Sequence, residues 1–160
     1  MYLWLSGLNR AALEHAARTT AAATASFAIA AALRLPQAQW AAISTIVVTQ
    51  STLGTALTLS GQRLVGTAIG AAAGALLARR LGSSMIAFGV GLFGLGLLCA
   101  LLRLDRPAYR FAGITLAIIV LVQPVEPAWR MALHRFVEVS VGIAVGLVAA
   151  KLWPDRDPAG

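Results

Sequence analysis

The sequence predicts an all-α integral membrane protein with six transmembrane helices arranged as two inverted three-helix repeats. Hydrophobic residues make up 59% of the 160 residues and charged residues only 12%, whereas soluble chains carry about 25% charged residues. The chain is long enough for about six spans joined by short loops. The repeat is predicted because basic and small residues of the first half recur 72 positions later.

An amphipathic N-terminal arm is predicted over residues 1–18, and the first repeat unit over residues 19–81. The unit opens with an alanine-rich span that Pro36 ends. The second span is rich in β-branched residues, and we predict a helix because an unpaired strand edge is prohibitive in lipid. The polar residues 50–52 mark a point in its C-terminal half where the helix can be interrupted. The predicted spans of this unit cover residues 19–35, 39–59 and 62–81.

The second repeat unit is predicted over residues 84–153, so that the six-helix membrane domain covers residues 19–154. A polar tail over residues 155–160 follows it. Three spans per unit is an odd number, and the second unit therefore lies upside down relative to the first, as in many transporters. The predicted spans of this unit cover residues 84–104, 109–122 and 129–153.

A seam of glycines follows an arginine in the last span of each unit, and small residues of this kind let helix backbones approach closely in lipid. In the first unit the four residues fall at i, i+3, i+7 and i+11, which is one face of a helix. In the second unit a glutamate takes the place of the first glycine. The two seams are Arg63, Gly66, Gly70 and Gly74, and Arg135, Glu138, Gly142 and Gly146.

The two arginines of the seams are the strongest candidates for a binding site. A charge on a face that packs against protein must meet a partner or an aqueous cavity, and a guanidinium matches both oxygens of a carboxylate. The alternative is that Arg63 and Arg135 reach from helix ends to lipid phosphates. Gln50 and Gln123, at the interrupted ends of the second and fifth spans, either line the same cavity or cap broken helices.

Glu138 and His134 are candidates for a proton relay. Glu138 lies on the same face as Arg135, so a local ion pair is the alternative to a titrating carboxylate. His134 has no second metal ligand at a suitable spacing, and a hydrogen bond to backbone at the helix end is the interpretation we favour.

Several function classes are excluded by what the sequence lacks. No nucleophile–base pair, metal-ligand spacing or phosphate loop is present, so we predict no enzyme, no catalytic residue, no metal site and no cofactor. The formal net charge of +7 comes without a basic run interleaved with aromatic residues, which argues against a nucleic-acid partner. With the N-terminus inside, eight Lys and Arg residues lie on the cytoplasmic side and five outside, which predicts that both termini are cytoplasmic.

The motifs WAAIS at 40–44, VVTQ at 47–50 and RLVGTAIG at 63–70 resemble the fusaric acid resistance, or aromatic acid exporter, family of bacterial membrane proteins. The resemblance covers residues 18–154, and the six-span membrane unit of the plant aluminium-activated malate transporters looks distantly similar. The resemblance implies a multi-pass protein of the bacterial inner membrane that exports organic anions, with aromatic carboxylates as the type substrate. Trp40, which opens the first motif, joins the arginines and glutamines as a predicted substrate-binding residue.

The larger exporters of the resembled family carry two such membrane halves and a cytoplasmic domain, whereas this chain has one half. Two copies are therefore expected to form a homodimer, and the small-residue faces of the third, fourth and sixth spans offer surfaces for it. The predicted partners are the lipid bilayer, a small organic anion and a second copy of the chain. Two alternatives stay open, namely a passive channel for organic or inorganic anions and a membrane accessory subunit that transports nothing.

Overall fold

The computed structural model describes residues 10–49, 52–122 and 126–153, and this part of the chain is helical apart from its connecting turns. The predicted all-helical class is confirmed. Six helices lie within the described residues, and α3 and α6 are the longest. In chain order they are α1 (Arg10–Ala32), α2 (Gln39–Thr49), α3 (Leu53–Leu81), α4 (Met85–Leu101), α5 (Arg106–Leu121) and α6 (Ala128–Leu152).

Two helices are long and apolar enough to cross a membrane, namely α3 with 29 residues and α6 with 25. Among the shorter helices, α2 and α4 are also apolar. Large apolar side chains are exposed along α4, where Phe93 is 71% and Leu101 80% accessible, as expected of a surface that faces lipid. That all six helices span the membrane stays a prediction.

The break between α2 and α3 differs from the predicted span limits. α2 ends at Thr49 and α3 begins at Leu53, so residues 53–59, which were assigned to the second span, belong to α3. Polar residues and the extended backbone of Thr52 separate the two helices at the segment that the sequence marks as interruptible. At the other end, α1 runs without a break across the predicted border of the arm at residue 18.

The helices of the two halves pack against each other in exchanged pairs. α3 packs along α5, α2 packs along α6, and α3 and α6 also contact each other. α1 lies against α2 and α6, while α4 lies against α5 and α3. The third helix of each half is therefore in contact with the second helix of the other half.

The glycine seams lie in these two exchanged interfaces. A methyl group added at Gly66 would meet the carbonyl oxygen of Ala108, and one added at Gly70 would meet that of Ala112. Gly74 faces the side chain of Ile119. On α6, Gly142 and Gly146 take the same roles against α2, where they face Ala41 and Val48 respectively.

The seams are thus used within one chain, which corrects the expectation that the small-residue faces of the third and sixth spans would be available for a second copy. Gly66, Gly70, Gly74, Gly142 and Gly146 all carry close neighbours from the same chain. On α4 the situation is different, because the positions of Gly89 and Gly94 border open space. Gly54 and Gly61, which precede the seam on α3, also border open space.

α1 and α4 end in the same way, with an arginine in the left-handed region. Arg34 has φ 57° and Arg103 has φ 53°, a conformation that closes helix ends. The following leucine returns a hydrogen bond to the helix in both cases, from Leu35 to Ala30 O at 3.1 Å and from Leu104 to Cys99 O at 2.9 Å. Arg34 therefore corresponds to Arg103, whereas a fixed spacing of 72 residues pairs it with Arg106. The two pairings differ because the turn after α1 and the turn after α4 differ in length.

Arg18 joins the ends of two other helices to α1. Its guanidinium donates hydrogen bonds to Trp153 O at 2.6 Å and to Thr49 O at 2.9 Å, and the residue is buried. Carbonyl groups at a helix C-terminus have no partner within the helix. A cation there also interacts favourably with the helix dipole. Arg18 therefore stabilises the ends of α2 and α6, which the sequence analysis did not predict.

Candidate functional site

A small cavity lies where α2, α3, α5 and α6 meet, and both seam arginines line it. Its volume is about 10 Å³, which is about the space that admits one water molecule. Aromatic, hydroxyl and aliphatic side chains complete its wall. The lining residues are Trp40, Arg63, Thr67, Phe111, Ile114, Thr115, Ile118, Arg135 and Val139.

Arg63 enters this cavity from α3 and is only 6% accessible. Its Nε donates a hydrogen bond to Ser44 Oγ at 3.2 Å, and its guanidinium lies over the ring of Phe111, 4.8 Å from the centroid. Its two terminal amino groups donate to no acceptor in the described part of the chain. No carboxylate among the described residues lies within ion-pair distance of it either. Arg63 is therefore a buried charge whose only polar contact there is a neutral hydroxyl.

Arg135 enters the same cavity from α6 and is held by three side chains. Its guanidinium lies over the ring of Trp40, 4.2 Å from the centroid. Its Nη2 donates to Gln37 Oε1 at 2.6 Å, and its Nη1 lies 3.4 Å from Glu138 Oε2. The local ion pair that the sequence left open as one interpretation of Glu138 is thus present.

Gln37 connects the partners of Arg135, although the sequence analysis did not identify it. Its side-chain oxygen also accepts a hydrogen bond from Trp40 Nε1 at 3.1 Å, and its backbone N–H donates to Glu138 Oε1 at 2.9 Å. The residue lies in the turn between α1 and α2 and meets α6 about 100 positions away. A polar residue directly after Pro36 and close to the WAAIS motif is the one sequence signal that pointed to it.

The two arginines differ because the residue three positions after each one differs. After Arg63 comes Gly66, whose backbone packs on the carbonyl oxygen of Ala108 and leaves no room for a carboxylate. After Arg135 comes Glu138, which neutralises Arg135. Among the described residues, the two guanidinium groups that line the cavity therefore have one compensating carboxylate, that of Glu138, which leaves one positive charge uncompensated.

Hydroxyl groups surround the arginines, and the sequence analysis missed them as well. Ser44, Thr67 and Thr115 are buried, and Ser44 donates its proton to Trp40 O at 2.7 Å, which leaves its oxygen free to accept from Arg63. Thr45 donates to Gly142 O at 2.9 Å and so connects α2 to α6. Buried hydroxyls of this kind satisfy polar groups that lipid cannot.

His134 contacts a carboxylate and not the backbone, contrary to the expectation. Its Nδ1 lies 2.9 Å from Oε1 of Glu126, a residue just before α6 that the sequence analysis did not consider. Glu126 in turn lines a wide cleft of about 600 Å³. This cleft lies between the C-terminal end of α3 and the N-terminal end of α6, and Arg79 and Trp129 also line it.

Two predicted site residues, Gln50 and Gln123, lie outside the residues that the structure describes. Within the described ranges, no group of three or more His, Cys, Asp or Glu residues is arranged to hold a metal ion. The lone Cys99 is buried in α4.

Two guanidinium groups buried inside an apolar helical bundle are typical of membrane proteins in which interior charges mark substrate sites or ion pathways. The chain belongs to the fusaric acid resistance protein-like family, whose family model matches residues 23–149. The predicted family is thereby confirmed. It is a family of transporter-type membrane proteins rather than of enzymes, and its members reside in a lipid bilayer. Comparisons with curated proteins and with solved structures give no match.

Proposed function

We propose that this protein exports small organic anions across the bacterial inner membrane, with aromatic carboxylates as the type substrate. The observation that carries the proposal is Arg63, a buried guanidinium that no carboxylate of the described chain compensates. A charge in such surroundings is costly unless a partner arrives. An anion supplies that partner, and a carboxylate matches the two free amino groups of Arg63.

The substrate site includes Trp40 and Arg135 as well as Arg63. Trp40 and Phe111 cover the flat faces of the two guanidinium groups. The terminal amino groups of Arg63 are left to bind the ligand, whereas those of Arg135 contact Gln37 and Glu138. Thr67 and Thr115 add hydroxyl groups to the same wall. We keep Gln50 and Gln123 in this proposal from their place in the sequence alone.

We further propose that the six helices cross the membrane as two inverted repeats, with both termini in the cytoplasm. The exchanged packing supports this, because each arginine stacks on the aromatic ring of the other unit. Arg63 precedes Arg135 by 72 positions, and Trp40 precedes Phe111 by 71 positions. Such reciprocal contacts are expected when two similar units are related by a twofold axis.

Transport requires the cavity to open, because a volume of about 10 Å³ is too small for an aromatic carboxylate. In inverted-repeat transporters one unit rocks against the other around the binding site. The α3–α5 and α2–α6 interfaces join the two units here, and the site lies between them. A passive anion channel is the second candidate, since an uncompensated arginine would also attract permeating anions.

Counterflow in proteoliposomes separates these functions. Vesicles loaded with unlabelled phthalate, an aromatic dicarboxylate that crosses lipid poorly, are diluted into a trace of labelled phthalate. A transporter is expected to accumulate the label transiently, whereas a channel lets it equilibrate and gives a current under voltage clamp. Vesicles without protein are the control. Neither accumulation nor current for phthalate and malate would contradict both functions and favour an accessory subunit.

A homodimer is also part of the proposal, because α4 carries a face of glycines and large apolar side chains that is exposed in the single chain. The exposed glycines and apolar side chains of α4 are the surface we assign to the contact. In lipid nanodiscs the protein is expected to have twice its chain mass of 16.6 kDa, as measured by light scattering. Gly94→Trp is expected to shift the protein toward monomer, and a monomeric wild type at every concentration would contradict the dimer.

A further inference from the structure

We propose that Glu138 competes with the transported anion for Arg135, so that one proton binds to Glu138 whenever an anion binds in the cavity. The inference rests on the proposed function and adds the protonation state of the site when the anion is bound. Its starting point is the difference between the two units, in which Gly66 leaves Arg63 without a carboxylate while Glu138 supplies one to Arg135.

The contact between Glu138 and Arg135 is the longest in its network. It measures 3.4 Å, whereas Gln37 accepts from Arg135 at 2.6 Å and donates its backbone N–H to Glu138 at 2.9 Å. Gln37 therefore holds both groups in place without the ion pair. The Nη1 group of Arg135 can exchange the oxygen of Glu138 for that of a ligand while the rest of the network persists.

Two carboxylates cannot both bind Arg135 at low cost. An anion at Arg63 and Arg135 would lie beside the ionised Glu138 in a region that water hardly reaches, since Glu138 is 1% accessible. Like charges so placed favour protonation of one of them. A proton from water binds to a carboxylate oxygen of Glu138, the neutral acid releases Arg135, and the ligand carboxylate takes its place. When the ligand leaves, the proton returns to water and the ion pair forms again.

A route for this proton follows one face of α6. His134 precedes Glu138 by four residues and so lies on the same face, and its Nδ1 contacts Glu126 at 2.9 Å. Glu126 lines the wide cleft at the end of α3, and the side chains of His134 and Glu126 are 33% and 25% accessible. The three groups thus lead from the wide cleft to the buried carboxylate.

The other groups around Glu138 do not offer an alternative proton site of equal quality. Within the described residues, α6 contributes Arg135 and His134, and the segment before it contributes Glu126. The turn before α2 contributes the uncharged Gln37, and α3 contributes Arg63, whose charge acts on Arg135. Among these groups Glu138 alone is both a carboxylate and in contact with a cavity arginine.

Calorimetry of benzoate binding to the purified full chain tests the inference. Titrations at one pH in buffers of different ionisation enthalpy give the number of protons taken up per benzoate bound. We expect about one proton for the wild type and none for Glu138→Gln, which keeps the shape of the side chain and one oxygen that can accept the backbone N–H of Gln37. At any pH where one proton is taken up per benzoate bound, benzoate affinity of the wild type should fall about tenfold for each unit of rising pH, and that of Glu138→Gln should hardly change.

Asp105→Asn is the matched control, because this exposed carboxylate accepts a hydrogen bond from Gln62 and is not among the residues that line the cavity. It is expected to keep the proton uptake of the wild type. Benzoate binding without proton uptake by the wild type would overturn the inference and leave the proposed function intact. Proton uptake that persists in Glu138→Gln would overturn it as well. Should that variant not fold, the wild-type proton count decides. A wild type that binds neither benzoate nor malate would overturn the proposed function together with the inference.

Discussion

Arg63→Gln is expected to lower anion transport about ten- to hundredfold while the protein still folds and inserts. The substitution removes the charge but keeps a donor that can reach the hydroxyl of Ser44, so the local packing is largely preserved. Loss of one charge-assisted contact costs about 1.5–3 kcal/mol, which corresponds to about one to two orders of magnitude in affinity. The measurement is the initial rate of phthalate counterflow in proteoliposomes at equal protein density.

Three further variants show whether the effect belongs to the site. Arg63→Lys should rescue transport only in part, because lysine lacks the planar fork of donors. Arg80→Gln, which changes an exposed arginine on the same helix, should leave the rate close to that of the wild type. Arg135→Gln is a harsher change, since it leaves Glu138 buried without its cation. Undiminished transport by Arg63→Gln would show that this arginine does not bind the substrate and would remove the main support for the proposed site.

Gly70→Leu is expected to prevent the protein from folding into a stable bundle. Its first side-chain carbon would meet the carbonyl oxygen and Cα of Ala112, and backbone cannot move aside as a flexible side chain can. α3 and α5 would have to separate along their whole contact, which exceeds the ordinary cost of about 1–3 kcal/mol for overpacking a core. We expect aggregation during detergent extraction, or a large fall in the melting temperature of the fraction that is extracted.

The same substitution elsewhere provides the controls. Gly142→Leu should be as harmful, because it would meet Ala41 in the equivalent interface between α2 and α6. Gly89→Leu should be tolerated, since nothing lies within 4 Å of the position. Size-exclusion profiles and thermal unfolding followed by tryptophan fluorescence distinguish the three variants. A Gly70→Leu protein that melts like the Gly89→Leu protein would contradict the close packing of α3 and α5.

The sequence by itself determined the membrane class, the helical fold and the family. These depend on composition and on local patterns, such as the glycines four residues apart after Arg63, which lie on one face of any helix. The spacing of the two seams also pointed to Arg63 and Arg135 before any contact was known. The break at residues 50–52 was visible for the same reason, since polar residues interrupt an apolar run whatever surrounds it.

Tertiary structure decided which partner each of these residues meets. Gln37 and Arg135, or Arg63 and Phe111, are far apart in the chain, and only the exchanged packing of the helices brings them together. The spacing of the glycines did not indicate whether the seams pack against a helix of the same chain or of a second copy, because close packing requires small residues in both cases. The charge of the site likewise depended on the fold, since Glu138 reaches Arg135, while α5 packs so closely on Gly66 that no carboxylate of the described residues reaches Arg63.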